Sequence, residues 1–319
     1  MAESVNTVHS LPIREAVAVL KRGGLVAFPT ETVYGLGADA SNPAAVARIY
    51  RVKGRPANHP VIVHIGDAGQ LERWAREVPE HARKLAARLW PGPLTLVLKR
   101  ALGVGDYLTG GEDTIGLRVP GHPVALEVLG QFGGGIAAPS ANKFGRISPT
   151  TAEHVRNDLG KEIDLILDGG PCEIGIESTI IDLSRDRPVL LRPGRISVEE
   201  IAATLSVKPE PRDRSAPRAP GMLESHYAPR KPLRLVAIEQ WERGAWQNCA
   251  VLCFRARPVG DKNAVWIRAS TDPQRYARDL YSSLRALDAS GCDEILVEEP
   301  PASAEWAAVR DRLLRARSK

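Results

Sequence analysis

The chain has 319 residues, 43% of them hydrophobic and 25% charged, with a formal net charge of +5 and a pI near 9.1. No apolar run approaches the roughly 18 to 20 residues of a membrane span, and "MAESVNTVHS" lacks the basic and apolar regions of a signal peptide, which leads us to expect a cytoplasmic protein. The four cysteines, Cys172, Cys249, Cys253 and Cys292, have no C-x-x-C spacing and no paired histidines nearby, which argues for reduced core thiols over disulfides or zinc ligation.

From the amino end, "SLPIREAVAVLKRGG" predicts a helix with Ser10 as its cap, Ile13, Val17 and Leu20 on one face, and Gly23-Gly24 as its stop. The strand "LVAF" follows. Next comes "FPTETVYGLGADA", residues 28–40, in which Gly35, Gly37 and Ala40 have the G-x-G-x-x-A spacing of a loosened dinucleotide fingerprint. That fingerprint requires a strand running directly into the first glycine, and Pro29 ends the strand too early. It also requires an acidic residue about 20 positions on, where "RVKGRPANH" offers cations. The stretch therefore reads as polar groups, Thr30, Glu31, Thr32 and Tyr34, crowded between a strand and a glycine turn.

Asn42-Pro43 opens a helix, "PAAVARIYRVK", that ends at Gly54 and leaves Lys53 and Arg55 at its carboxyl terminus. Cations at that end complement the helix dipole, so capping alone would account for them. "VIVHI" is the next strand, followed by a helix through "HARKLAARLW". The strands "LTLVLK", "TIGLRV", "GIAA", "LILD", "STIIDL" and "PVLLR" come after it, with helices at "SPTTAEHV" and "SVEEIAATL". Ser197 and Glu200 form a capping box for the last helix, and Thr150 and Glu153 have the same spacing at the other. Many strands with few helices predict an α/β or α+β domain built on one large sheet.

Ser206 to Pro232 holds six prolines in 27 residues and reads as a stiff linker. It separates a first domain, residues 1–205, from a tail, residues 233–319. The tail alternates strands "PLRLVAI", "CAVLCF", "AVWIRA" and "EILVEE" with helices from Asp272-Pro273 and from Ser303, which suits a compact three-layer α/β domain.

Three polar clusters in the first domain carry chemistry. Arg118 lies inside the strand "TIGLRVP", pointing opposite to Ile115, Leu117 and Val119, and a guanidinium there needs an anion from the protein or from a ligand. In "APSANKFGRISPT", Pro139 ends the preceding strand and sets Ser140 and Asn142 in a turn, a good phosphate cradle, while Ser148 reads as an anion site or an ordinary helix cap. His64, Ser178, Thr179 and Arg192 form the third group, for which a core histidine and a surface ion pair are the plain alternatives. There is no Walker sequence, no metal-ligating histidine pair and no evident covalent nucleophile.

In order and spacing, "FPTETVYGLG", "KGRP", "PGPLTLVL", "TIGLRVPGHP", "APSANKFGRISPT", "IESTIIDL" and "LLRPG" resemble the YrdC/Sua5 family of threonylcarbamoyl-AMP synthases over about residues 10 to 205. Lys53-x-Arg55 with Ser140-x-Asn142 matches that family's K-x-R and S-x-N pair. The "APGMLESHYAP" segment of the linker looks like the connector of the longer, two-domain Sua5 form. The resemblance implies a YrdC-like domain with one large twisted mixed sheet, followed by a smaller Rossmann-like α/β C-terminal domain.

It also implies a nucleotidyltransferase that condenses L-threonine, bicarbonate or carbon dioxide, and ATP into threonylcarbamoyl-AMP and pyrophosphate, with Mg2+ accompanying the ATP. Downstream transferase proteins would pass the threonylcarbamoyl group to adenosine 37 of tRNA. By similarity Thr32, His64, Arg118, Ala138 and Ser178 would surround threonine. Arg55, His59, Thr114, Ser140, Ser148 and Arg192 would contact ATP, with Lys53 and Asn142 close by and Tyr227 reaching back from the linker as a lid. His59 departs from the family's usual asparagine. The basic body also allows weak RNA binding, and a non-catalytic RNA-binding module is the rival from another class. It lacks aromatic stacking motifs. The carbamoyl-adenylate-forming domain of hydrogenase maturation proteins is the enzymatic rival, but its zinc-finger and acylphosphatase segments are missing from this sequence.

Overall fold

The structure, a computed structural model, describes residues 7–222, 226–237, 240, 247–257 and 265–317. The first part of the chain runs α1 (Thr7–Lys21), β1 (Val26–Phe28), β2 (Gly35–Asp39), α2 (Pro43–Lys53), β3 (Ile62–His64), α3 (Leu71–Trp74), α4 (Glu80–Leu89), β4 (Leu94–Lys99) and α5 (Asp106–Thr109). It continues through β5 (Thr114–Arg118), α6 (Pro123–Phe132), β6 (Ile136–Ala137), α7 (Ala152–Leu159), β7 (Leu165–Ile166), β8 (Thr179–Asp182), β9 (Val189–Arg192), α8 (Val198–Leu205) and β10 (Glu210–Pro211).

All ten strands join one mixed sheet in the order β10-β9-β8-β4-β5-β3-β6-β2-β1-β7. Side chains alternate across it as a two-residue period demands. Val26, Phe28 and Ile136 pack with Ile13, Leu20 and Leu129 under α1 and α6. Their neighbours Ala27 and Ala137 face the larger cluster that includes Val46 and Ile49 of α2 and Leu85 of α4.

The opening glycines correct the reading of "FPTETVYGLGADA" as a turn. Gly35 to Asp39 is a strand, paired antiparallel with β1 so that Gly37 meets Val26 and Gly35 meets Phe28. A β-carbon on Gly37 would stand 2.7 Å from the Phe28 ring and 2.9 Å from Ile136, so this strand closes on its neighbours only with glycine there. The turn itself is shorter. Thr30 organises it, donating its hydroxyl to the Val33 carbonyl at 2.6 Å and accepting the Thr32 and Val33 amides at 3.2 Å.

Cap positions also moved. Ser10 lies inside α1, Thr151 in place of Thr150 caps α7 by accepting the His154 amide, and Ser197 caps α8 as expected. Helix α6 lies among residues that showed no clear signal in the sequence; His122 caps it and Pro123 begins it.

The proline-rich segment is more firmly held than its composition suggests. Glu210–Pro211 adds a parallel strand to the edge of the large sheet beside β9. Further on, Arg218 donates to the Gly110 carbonyl and pairs with Glu112.

The tail builds a second sheet from β11 (Leu233–Val236), β12 (Cys249–Cys253), β13 (Val265–Arg268) and β14 (Glu294–Glu298), all parallel, in the order β11-β14-β12-β13. Helices α9 (Pro273–Asp288) and α10 (Ala307–Ala316) cover one face through Leu280, Leu284, Val309 and Leu313, against Leu233, Leu252, Ile295 and Val297. Val236, Val251 and Leu296 form a separate apolar cluster on the other face. The first cluster also takes in Val33, Ile147 and Ile176 of the first domain and Tyr227 of the linker, so one apolar core runs across the junction. All four cysteines are free and buried.

Candidate active site

A hollow opens where several elements end together. His64 and Arg118 are partners in the register of the parallel pair β3 and β5, which sets them side by side at its floor. Ala138, Pro139 and Ser140 leave the sheet after β6. Ser178 precedes β8, Arg192 ends β9, and Thr30 and Thr32 come from the turn after β1. Arg55 enters from just beyond α2, because Gly54 adopts a left-handed conformation (φ 64°) that stops the helix and turns the chain inward. Pro220, Gly221, His226 and Tyr227 of the linker complete the wall.

The arginines differ in what satisfies them. Arg118 donates Nε to the Gly92 carbonyl at 3.2 Å and has its Nη2 2.6 Å from Oε1 of Glu31, so the anion it needed is a protein carboxylate in this state. Arg192 donates to the main-chain oxygen of Ser178 at 3.0 Å, to its hydroxyl at 3.1 Å and to the Pro220 carbonyl at 3.0 Å. Arg55 donates to the Pro60 carbonyl at 2.7 Å and lies 5.7 Å from the centre of the Phe144 ring. Among the described residues neither Arg55 nor Arg192 forms an ion pair. Burial lowers both from their ordinary value, Arg55 to about 10. A buried cation without a counter-ion is costly, and two of them facing one hollow make it a receptor for anions.

His64 is 3% exposed. Burial, then the nearby Arg118, hold its pKa well below the ordinary imidazole value, and its Nδ1 has no partner among the described residues. A neutral ring with a free nitrogen can accept or donate a hydrogen bond to a small polar ligand. Thr95 and Ser178 share a buried hydrogen bond at 2.8 Å.

Of the residues singled out in the sequence, Thr32, His64, Arg118, Ala138, Ser178, Arg55, Ser140, Arg192 and Tyr227 line this hollow together. The others stand back from it. Lys53 is buried behind the wall, donating Nζ to the carbonyls of Ser140 at 2.6 Å and Asn142 at 2.5 Å. Asn142 in turn donates to the carbonyls of Lys143 and Arg146. The K-x-R and S-x-N pair is therefore one assembly in which lysine and asparagine shape the loop while arginine and serine face the cavity. Ser148 donates to Glu177, and His59 packs edge-on to Phe144 at 5.5 Å. Thr114 begins β5, at the far end of that strand from Arg118.

The linker closes the hollow. The Ala228 amide donates to the Gly145 carbonyl at 2.8 Å, and Arg146 donates to the Pro229 carbonyl at 3.1 Å. Tyr227 has a left-handed backbone (φ 63°), and its ring stacks on Tyr281 of α9 at 5.8 Å.

Sequence reasoning missed Glu177 and His226 as wall residues, Glu31 as the partner of Arg118, and Tyr281 and Arg312 as supports of the wall. Arg312 left a signal in the pattern. It falls on the same face of α10 as Val309, Leu313 and Ala316, where an arginine implies a buried partner.

Magnesium does not find a protein cage here. Among the described residues no three His, Cys, Asp or Glu side chains gather to hold a metal. Glu177 in the wall and Glu31, the partner of Arg118, are each taken by an arginine. These residues do not fit a resident cation.

Residues 18–194 match the model of the Sua5/YciO/YrdC family, described as "Telomere recombination". Residues 196–318 match the family described as "Threonylcarbamoyl-AMP synthase, C-terminal domain". The chain is 42% identical to the threonylcarbamoyl-AMP synthase of Pyrococcus abyssi (strain GE5 / Orsay), over 97% of this chain and 95% of the relative. It is 40% identical to that of Bacillus subtilis (strain 168), over 95% and 92%. Among solved structures, P. abyssi Sua5 complexed with L-threonine superposes with a TM-score of 0.87 at 40% identity, covering 95% of this chain and 93% of that one. With both domains matched and the relatives covered nearly end to end, this chain belongs to the Sua5/YciO/YrdC family in its two-domain form.

Proposed function

We propose that the protein is a threonylcarbamoyl-AMP synthase, a nucleotidyltransferase acting on L-threonine, bicarbonate or carbon dioxide, and ATP. One observation carries this reading: Arg55 and Arg192, both buried and forming no ion pair among the described residues, face the same hollow as Arg118, His64, Thr32 and Ser178. The names of the relatives support the same chemistry.

Threonine would lie against Thr32, His64, Arg118, Ala138 and Ser178, with Arg118 turning from Glu31 toward its carboxylate. Its free amine adds to carbon dioxide, losing a proton and forming a carbamate. A carbamate oxygen then attacks the α-phosphorus of ATP, the bond from that phosphorus to the bridging oxygen breaks, and pyrophosphate leaves with the electron pair. Both reacting partners are anions. Arg55 and Arg192 would offset their repulsion, and a rigid wall would hold them in line. His64, kept neutral, would accept a hydrogen bond from the amine or hydroxyl. Ser140 would meet the phosphates, while Lys53 and Asn142 hold its loop in place.

Tyr227 and His226 would keep water from the mixed anhydride while it forms. Magnesium would arrive on the phosphates as part of the substrate. The product would pass to transferase proteins that modify tRNA, in the cytoplasm.

The test is pyrophosphate release measured with all three substrates and with each omitted, together with a mass spectrum of the product from labelled threonine. Release that depends on both threonine and bicarbonate, with the label in an adenylate, is the expected result. Release independent of threonine, or none, ends the reading.

A further inference from the structure

The proposed mechanism leaves one buried charge unexplained. Glu177 faces the hollow one residue before Ser178 and is 7% exposed. An unscreened carboxylate there would repel any phosphate brought to Arg55 and Arg192.

Its charge is met from the other domain. Arg312 of α10, 0% exposed, donates Nε to Oε2 of Glu177 at 2.7 Å and Nη2 to its main-chain oxygen at 3.3 Å. Tyr281 of α9 donates its hydroxyl to the same Oε2 at 2.9 Å, and Ser148 donates to Oε1 at 2.6 Å. Burial alone would raise the Glu177 pKa, but Arg312, then Arg192 and the Ser148 hydrogen bond, hold it down at about 2. Arg312 also pairs with Asp311 at 2.7 Å, and Asp311 pairs with Arg315 at 2.9 Å. Among the described residues the cluster holds Arg312 and Arg315 with Glu177 and Asp311, and taking Arg312 away removes one positive charge from beside the hollow.

The same guanidinium lies 5.3 Å from the centre of the Tyr227 ring, on the linker segment that closes the cavity. A buried arginine and glutamate pair contributes little stability over an apolar pair of the same size, so fold stability does not by itself explain it.

We infer that Arg312 is a positioning residue for the phosphate site, supplied by the C-terminal domain. It neutralises Glu177 so that the hollow stays cationic, and it holds Tyr227 over the opening. The inference rests on the ATP reading above. It also gives the tail a role within the reaction itself.

The experiment compares steady-state pyrophosphate release by the full-length wild type, R312M and the double variant R312M/E177Q, varying ATP and threonine separately. R312M is expected to raise the KM for ATP about tenfold, with kcat and the threonine KM changing less than about threefold. The double variant should recover the ATP KM to within about threefold of wild type, because the charge that needed neutralising is gone. A merely structural arginine would lower kcat and the urea midpoint and leave the ATP KM unchanged, and E177Q would then restore stability without moving ATP affinity.

An unchanged ATP KM in R312M, or a double variant no better than the single, overturns the inference. A wild type that releases no threonine-dependent pyrophosphate sinks the underlying function instead. ATP affinity by calorimetry then still tests Arg312, with the same tenfold loss and recovery expected. Should R312M not fold, E177Q/R312Q removes both charges together. An ATP KM within about threefold of wild type supports the inference, and a tenfold rise overturns it.

Discussion

Arg118 and Glu31 form an ion pair at 2.6 Å with side chains only 5% and 8% exposed, on the wall where a substrate carboxylate is proposed to bind. Under the proposed function a substrate carboxylate would compete with Glu31 for this guanidinium. Replacing Arg118 by methionine therefore has two separable consequences. Threonine KM should rise on the order of a hundredfold, since truncating one partner of a buried charged contact costs roughly 2 to 5 kcal/mol. Stability should fall by about 3 kcal/mol, because Glu31 is left buried and unpaired. In R118M/E31Q the stability should return while the threonine KM stays high. Urea unfolding and threonine titrations check both.

Lys53 never reaches the hollow, yet its ammonium is tied to the Ser140 and Asn142 carbonyls. Lys53→Met frees the loop that presents Ser140. The expected outcome is an ATP KM raised about tenfold with the threonine KM little changed, and a stability loss of about 2 kcal/mol from two hydrogen bonds to a charged group. Kinetics that move the threonine KM more than the ATP KM would contradict this placement.

Gly221 has φ 76°, and a β-carbon there would sit 2.1 Å from the Tyr227 hydroxyl and 2.9 Å from Nη1 of Arg192. Gly221→Ala should push the tyrosine ring outward and leave the rest of the fold intact. Threonine-dependent pyrophosphate release should drop at least about tenfold, with unfolding destabilised by only about 1 to 2 kcal/mol. Full turnover in this variant would show that the linker need not close.

Acid should weaken the fold through its buried imidazoles. Burial lowers His226 from 6.5 to about 3. Between those values the unfolded chain binds a proton that the folded chain refuses, so the stability is complete above about pH 6.5 and is lost as pH falls toward 3. From pH 7 to 5 this residue accounts for at most about 2 kcal/mol. Glu177, held near 2, contributes with the same sign only below its ordinary 4.5. Denaturant midpoints at pH 5 and 7 should differ in this direction, and His226→Phe should flatten the difference.

Much of this molecule is legible along the chain because its determinants are local. Alternation of apolar and polar residues in "TIGLRVP" put Arg118 on the opposite side from Ile115, Leu117 and Val119, and the structure keeps that division. Asn42, Pro43 and Gly54 bounded α2 correctly, since a cap, a proline and a left-handed glycine act within one turn of the helix. Motif order alone identified the family and about half of the wall.

What depended on contacts far apart in sequence was decided only by folding. Gly35 to Asp39 became a strand because Phe28 and Ile136 leave room for nothing larger than glycine at Gly37. Whether Arg118 met a protein carboxylate, whether Lys53 faced the cavity, and that Arg312, 135 residues from Glu177, would supply its counter-charge are matters of which chains meet in space. Local propensity reaches a few residues, whereas the cost of a buried charge is settled by whatever the whole fold brings beside it.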